Sequence, residues 1–246
     1  MKPLIAVLLA TSGLLAATAS FAQSPSVEAQ LTPFADAMGM ERGAVQRALD
    51  TVNVVEYTVN GTVAGAKVTG MKIGIDHVIP AVRTDVGTGA ARKVEVASGA
   101  LAWDESVPGV YSGPAATNAA ERLRMLCLLP HGVILAALVQ PQTVKFGTEG
   151  AFKTITSACP VGGEMKTTMN ADLRPAKIEL VQNGQTYTAE FTNYRHDEQG
   201  FEVFFPGRIR QSQAGKLTMD LTVTQGLPNP YMLFPVPSQV RPVASR

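Results

Sequence analysis

The sequence predicts a mainly β fold: a curved antiparallel sheet, or half-open β-barrel, with a helical pair packed on its concave side. Segments in which polar and apolar residues alternate, rich in β-branched side chains, recur on both sides of residues 115–139. Residues 115–139 themselves are dense in helix formers and in apolar residues. About ten strands interrupted once by helices are arranged most economically as one curved sheet that holds the helices on its concave side.

Residues 1–22 have the pattern of a cleaved export signal. Lys2 precedes an apolar run from Leu4 to Ala17, and Ser20 and Ala22 place small residues at the minus-three and minus-one positions of a cleavage site. The run is shorter than the ~20 residues that span a bilayer, and a lipid anchor would need Cys in place of Gln23. We expect cleavage near Ala22 and a mature chain, without a transmembrane segment, in the periplasm or secreted.

The first half of residues 23–246 is predicted to be mostly strands. A polar leader from Gln23 to about Thr32 and a short amphipathic helix over Met40–Leu49 come first. Five strands follow, over Val54–Val63, Lys67–Ile75, His77–Thr84, Lys93–Val96 and Leu101–Asp104.

The helical pair comes next. Ser112-Gly113-Pro114 favours a helix start, which predicts a first helix over Ala115–Leu129. Pro130-His131-Gly132 is predicted to break the helix before a second one over Val133–Val139. The second helix is apolar on every side, so it needs two apolar neighbours, which the sheet and the first helix would supply.

A period of two returns after Val144. Asn183-Gly184 between Lys177–Gln182 and Gln185–Tyr194 predicts a hairpin with a type I′ turn. Two more strands are predicted over Phe201–Phe205 and Leu217–Val223, followed by an extended, proline-rich tail. No repeat, low-complexity tract or linker divides residues 23–246, so we predict a single domain.

The chain has two cysteines, Cys127 and Cys159. In an oxidising compartment the pair permits one disulfide. The alternative is that Cys127 is a small buried hydrophobe and Cys159 an unrelated loop residue. Neither has a Cys-x-x-Cys partner and the three histidines are scattered, so we expect no metal site and no cofactor.

Charge and motifs exclude several classes of function. Lys2 is the one charged residue of the signal, so residues 23–246 carry equal numbers of basic and acidic side chains, which argues against a nucleic-acid partner. No hydrolase elbow, phosphate loop, dinucleotide fingerprint or zincin motif is present, so we assign no catalytic residue and do not expect an enzyme. For His131 two interpretations are open, a general base beside an apolar pocket or a ring that links the helices, and the second is favoured.

A cavity between the concave sheet and the helices suits a hydrophobic ligand. The predicted lining residues are apolar side chains of the helices and of neighbouring strands: Trp103, Leu126, Leu129, Ile134, Leu135, Leu138, Phe191 and Phe204. For Trp103 the alternative is an ordinary core position. Arg122 and Arg124 either pair with a ligand head group or face water.

Five segments carry a resemblance to known proteins: PHGVILAAL (130–138), RPAKIEL (174–180), FFPGRI (204–209), DLTVT (220–224) and NPYMLFPVP (229–237). They resemble a group of exported bacterial proteins similar to the LolA-like fold of the lipoprotein carriers and outer-membrane lipoprotein-sorting proteins. Similar segments precede metallo-β-lactamase-fold hydrolase domains, but the His-x-His-x-Asp-His motif is absent from this sequence. The resemblance covers roughly residues 101–240 and implies an open, half-closed barrel with helices as a lid over an apolar cavity.

The leading hypothesis is a periplasmic binding or carrier protein for a hydrophobic small molecule or acyl chain. The alternative is a non-catalytic accessory module that docks onto an exported enzyme or an envelope complex. A third hypothesis, an enzyme that uses His131 with a nearby acid, depends only on the position of that residue between the predicted helices.

Overall fold

A computed structural model describes residues 25–40, 52–197, 199 and 202–241. The predicted export signal lies outside these residues, as does the predicted helix over Met40–Leu49 except for Met40, which is buried.

The main sheet has thirteen antiparallel strands in the order β6-β5-β4-β3-β2-β1-β15-β14-β11-β10-β9-β8-β7. Their bounds are β1 (Val54–Val63), β2 (Ala66–Asp76), β3 (Ala81–Val86), β4 (Lys93–Ser98), β5 (Leu101–Val107), β6 (Val110–Ala116), β7 (Lys145–Glu149), β8 (Phe152–Ala158), β9 (Glu164–Met169), β10 (Pro175–Gln182), β11 (Gln185–Thr192), β14 (Arg208–Gln213) and β15 (Lys216–Pro228). A separate two-stranded ladder joins β12 (Arg195–His196) to β13 (Phe204–Phe205). Among the described residues β6 and β7 are the free edges, and the sheet does not close.

In the described part of the chain three α-helices accompany the sheet: α1 (Val27–Ala37), α2 (Ala119–Leu123) and α3 (Pro130–Val139), with a 3₁₀ turn (Arg124–Cys127) after α2. The helices share one large apolar core with the inner face of the sheet. The predicted fold class, a mainly β, curved and open antiparallel sheet with helices on one face, is confirmed. In the described part of the chain no single helix is long and apolar enough to cross a membrane; residues 119–127 and 130–139 pass that test together, with a bend of 97° between them.

The polar leader predicted up to Thr32 is wrong, because α1 begins at Val27. The Ser26 side chain caps the helix by accepting a hydrogen bond from the Ala29 N–H at 3.2 Å. The helix buries Leu31, Phe34 and Ala35, which the sequence pattern does not reveal because Pro33 interrupts it.

The start of the first helix is also corrected, since Ser112-Gly113-Pro114 lies within β6. β6 pairs with β5 alone, so Pro114 occupies an edge strand, where the missing N–H is tolerated. A register shift between Ala102 and Asp104 of β5 accommodates the irregular segment opposite.

Pro130-His131-Gly132 does not break a helix but forms the first turn of α3. Proline is favoured there because its fixed φ suits a helix start and its missing N–H needs no partner. The bend between the helices therefore falls before Pro130, at Leu128 and Leu129.

The strand predicted over His77–Thr84 begins only at Ala81. Asp76 Oδ1 accepts hydrogen bonds from the N–H groups of Val78 (2.9 Å) and Ile79 (3.0 Å), which turns the chain out of the sheet. The strand predicted over Phe201–Phe205 is reduced to Phe204–Phe205.

The hairpin prediction is confirmed. Strand β10 ends at Gln182 and strand β11 begins at Gln185, and these two residues pair across the turn. Asn183 and Gly184 both have positive φ, 52° and 73°, as a type I′ turn requires.

The C-terminal segment, residues 229–241, covers part of the outer face of the sheet. A small second cluster there contains Val94, Val96, Trp103 and Val240, with Phe234 and Val236 of the segment packed against it. The sheet is therefore apolar on both faces over β4 and β5.

Candidate functional site

Helix α3 is enclosed by the core along most of its length. His131 is fully buried, and its Nδ1 lies 2.6 Å from the hydroxyl of Tyr57 on β1. Its ring also packs against Phe205, with centroids 4.7 Å apart. His131 therefore links α3 to the sheet, and no carboxylate forms a described hydrogen bond with its ring; this geometry does not support the hypothesis of His131 paired with an acid.

Both arginines of the helical pair have partners within the chain. Arg122 donates to the carbonyl oxygens of Val96 (3.1 Å) and Trp103 (2.7 Å) and to Asp104 Oδ1 (2.8 Å). Arg124 donates to Gln182 Oε1 at 2.9 Å, and its guanidinium stacks 4.0 Å over the ring of Tyr187. These two side chains hold the helices on the sheet.

Cys127 and Cys159 form a disulfide. Cys127 lies in the 3₁₀ turn that follows α2, and Cys159 follows β8 in the other half of the sheet. Because α2 packs against β3, β4 and β5, the disulfide and the helical pair connect the two halves of the sheet.

An apolar cavity of about 230 Å³ lies beside α3, where the two halves meet. Its walls come from the turn after β2, the two helices and the residue that follows the disulfide: His77, Val78, Pro80, Leu126, Gly132, Leu135, Ala136, Val139 and Pro160. The disulfide places two of these walls, since Leu126 precedes Cys127 and Pro160 follows Cys159.

Gly132 allows the close packing at this site. A Cβ at this position would lie 1.8 Å from the carbonyl oxygen of Leu126 and 3.4 Å from Cε1 of His77. The absence of a side chain allows α3 to lie against the preceding turn and against the His77 ring.

The outer end of the cavity is apolar and open to solvent. Val78 and Val139 line it and are 58% and 55% exposed, and Ile79, which follows Val78 in the chain, is 62% exposed. Single exposed aliphatic side chains are ordinary on protein surfaces, whereas several grouped at the mouth of an apolar cavity are typical of a binding site.

His77 is the one lining residue with a polar side chain. Its Nε2 is buried and has no hydrogen-bond partner among the described residues. Burial lowers the pKa of His77 to about 3, so the ring is neutral at neutral pH. The other eight lining residues have aliphatic side chains or none.

The structure brings together some of the predicted lining residues. Leu126 and Leu135 line the cavity. Leu129, Ile134, Leu138 and Phe191 pack in the inner core and do not line this cavity. Whether any of them contacts a ligand stays a prediction.

Two predicted residues lie away from this group. Phe204 is half-buried between the Arg174 guanidinium, 3.5 Å from its ring centroid, and the ring of His196 at 4.0 Å, while its neighbour Phe205 enters the core. Trp103 is fully buried on the outer face under the C-terminal segment, and its Nε1 donates to Glu105 Oε1 at 2.9 Å. A role for either residue in ligand binding stays a prediction.

Sequence reasoning missed seven cavity residues: His77, Val78, Pro80, Gly132, Ala136, Val139 and Pro160. Apolar Val139 at the C-terminal end of the second predicted helix was the available signal. Nothing in the sequence indicates that the turn after β2 and the residue after Cys159 lie beside it.

A larger depression of about 660 Å³ lies on the outer face, between β2, β3 and the C-terminal segment. Its charged side chains are paired: Lys72 with Glu56 at 2.9 Å, and Arg92 with Asp85 at 2.6 Å. Arg83, also in this depression, lies 3.3 Å from Glu105. Within the described ranges no group of three or more His, Cys, Asp or Glu side chains is arranged to hold a metal ion.

These features define an open antiparallel sheet that holds two helices and a small apolar cavity between its halves. No family model and no curated protein sequence matches the chain. Comparison with solved structures finds a likeness to an outer membrane lipoprotein-sorting protein domain from Vibrio parahaemolyticus, over 82% of this chain and 93% of that one, with 10% identity and a TM-score of 0.41.

Proposed function

We propose that this protein is an exported binding or carrier protein for a hydrophobic, lipid-like ligand, held at the cavity beside α3. The observation that supports this most directly is the combination of an apolar lining with an exposed apolar rim, Val78 and Val139, next to the exposed Ile79. Burial of apolar surface is the main source of affinity for such a ligand, and burying about five methylene groups contributes about 4 kcal/mol.

The size of the cavity sets how the ligand is held. At about 230 Å³ it is smaller than the ~300–1,000 Å³ of ordinary small-molecule sites. It therefore accommodates one end of an acyl chain, and the exposed rim contacts the part that follows.

Export is proposed on two grounds. The N-terminal pattern is that of a cleaved signal, with cleavage near Ala22. The Cys127–Cys159 disulfide supports an oxidising compartment, the periplasm or the outside of the cell.

A cavity-filling variant tests the proposal. Ala136 lines the cavity and is nearly fully buried, so Ala136→Phe places an aromatic ring in the space that the ligand would take. Val181→Phe is the matched control, since Val181 on β10 is exposed and does not line the cavity.

Binding of two ten-carbon chains, 1-decanol and decanoate, is measured by ligand-observed NMR, with circular dichroism to check folding. We expect at least one chain to bind the wild-type protein and the Val181→Phe variant, and Ala136→Phe to weaken binding at least tenfold. The proposal is wrong if neither chain binds, or if folded Ala136→Phe binds as well as the wild type.

Docking to an exported enzyme or envelope complex is the second candidate, and the same exposed residues favour it. A docked protein would cover the rim without entering the cavity. Ile79→Glu would then abolish the interaction, whereas Ala136→Phe would leave it intact.

A further inference from the structure

One side chain that lines the cavity, His77, has a ring nitrogen, Nε2, that an apolar chain alone does not satisfy. It is buried and unpaired among the described residues, on a side chain that lines the cavity. Buried polar atoms in proteins nearly always have a hydrogen-bond partner, so an unpaired one beside a cavity points to a group that enters it.

His131 provides an internal comparison. His131 does not line the cavity, and its Nδ1 is held by the Tyr57 hydroxyl at 2.6 Å. His77 is thus the histidine whose ring a ligand in the cavity would contact.

The charges at the site restrict what that group is. None of the nine lining residues is Lys, Arg, Asp or Glu. Asp76, which precedes His77, already accepts hydrogen bonds from the N–H groups of Val78 and Ile79. A carboxylate, phosphate or ammonium group would lose its hydration here without gaining an opposite charge, which is strongly unfavourable.

We infer that the ligand is an uncharged single-chain lipid whose hydroxyl or ester group forms a hydrogen bond with Nε2 of His77. This inference depends on the proposed function. A hydroxyl both donates and accepts, so it suits either tautomer of the neutral ring, and an ester carbonyl suits the tautomer protonated at Nε2. A carboxylate only accepts and is charged.

The preference for an uncharged head group is tested with three ligands of equal chain length: 1-decanol, decanoate and decylammonium. Each is titrated into the wild-type protein at pH 7.5. We expect 1-decanol to bind at least tenfold more tightly than either charged ligand. Equal or tighter binding of decanoate or decylammonium would overturn the inference and leave the proposed function standing, whereas no binding of any of the three would contradict the proposed function itself.

Variants of His77 test the hydrogen bond. His77→Leu keeps the cavity apolar and removes the bond, and should weaken 1-decanol binding about tenfold. His77→Gln retains a polar group and should restore part of the loss. His196→Leu is the control, because His196 is exposed on β12. Unchanged 1-decanol affinity in folded His77→Leu would overturn the inference; if that variant does not fold, the three-ligand comparison on the wild type decides.

Discussion

At the scale of single residues, two histidine rings, those of His131 and His77, are neutral in the folded protein at neutral pH. His131 is held between Tyr57 and Phe205, and His77 lies against Gly132 at the start of α3. For His131, burial and, to a smaller extent, the nearby His77 lower the pKa to about 3 from the ordinary value of 6.5. Protonation of either ring is therefore less favourable in the folded protein than in the unfolded chain.

This burial predicts a loss of stability in mild acid. A histidine with a lowered folded-state pKa contributes its full stability above the unfolded pKa of 6.5, and the contribution falls as the pH drops from 6.5 towards 3. Each such histidine contributes a slope of about 1.4 kcal/mol per pH unit in this window. We expect the urea midpoint to fall between pH 7.5 and pH 5.

The variant His131→Gln tests the contribution of His131 to this pH dependence. A glutamine amide can also form a hydrogen bond with the Tyr57 hydroxyl, but it does not titrate. Its urea midpoint should change less between the same two pH values than that of the wild type. Carboxylates with lowered pKa, such as Asp220 beside Arg208, lose their contribution only at lower pH, so the comparison stays at pH 5 and above. Identical slopes for the two proteins would show that His131 is not neutral in the fold.

At the scale of elements, the helical pair is fastened to both halves of the sheet. Arg122 bonds to β4 and β5 near one edge, Arg124 bonds to Gln182 of β10, and the disulfide joins the turn after α2 to the end of β8. Since Leu126 and Pro160 flank the two cysteines, the same link sets the width of the cavity.

Removal of the disulfide is therefore expected to affect stability and binding together. The two cysteines are 32 residues apart, and a loop of this length predicts a loss of about 2–4 kcal/mol in the double variant Cys127→Ala/Cys159→Ala. Denaturation in urea measures the loss, and 1-decanol titration should show weaker binding below the unfolding transition. Unchanged affinity for 1-decanol in the folded double variant would show that the disulfide does not determine the width of the cavity.

At the scale of the whole molecule, the sheet uses its two faces differently. The inner face holds the three helices and the cavity. The outer face carries paired charges and the Trp103 cluster under the C-terminal segment, where Arg83 donates to the carbonyl oxygen of Leu233 at 3.0 Å. The fluorescence of Trp103, the single tryptophan of the sequence, therefore reports on the outer face alone.

A truncation tests that assignment. A chain that ends at Asn229 lacks Phe234, Val236 and Val240, so Trp103 should become exposed and its fluorescence emission should move to longer wavelength. A chain that ends at Arg241 keeps these residues and should emit like the full-length protein. Unshifted emission from the shorter chain would mean that the segment does not cover Trp103.

Local patterns in the sequence were sufficient for much of the fold. β1 and the hairpin of β10 and β11 follow from alternation and from Asn183-Gly184. Errors arose where tertiary position overrides local preference: Pro114 lies in a strand because that strand is an edge, and Pro130 begins a helix. The cavity joins segments distant in sequence, so helix periodicity identified Leu126 and Leu135 but gave no sign of His77 or Pro160.

The central claim, that an uncharged lipid-like ligand enters the cavity beside α3, is tested most directly by native mass spectrometry of protein isolated from the periplasm without detergent, followed by solvent extraction. We expect the wild type to carry an adduct that extracts as an uncharged lipid, and Ala136→Phe to carry none. A bare mass for the wild type, in a protein that also takes up no 1-decanol, would contradict the account.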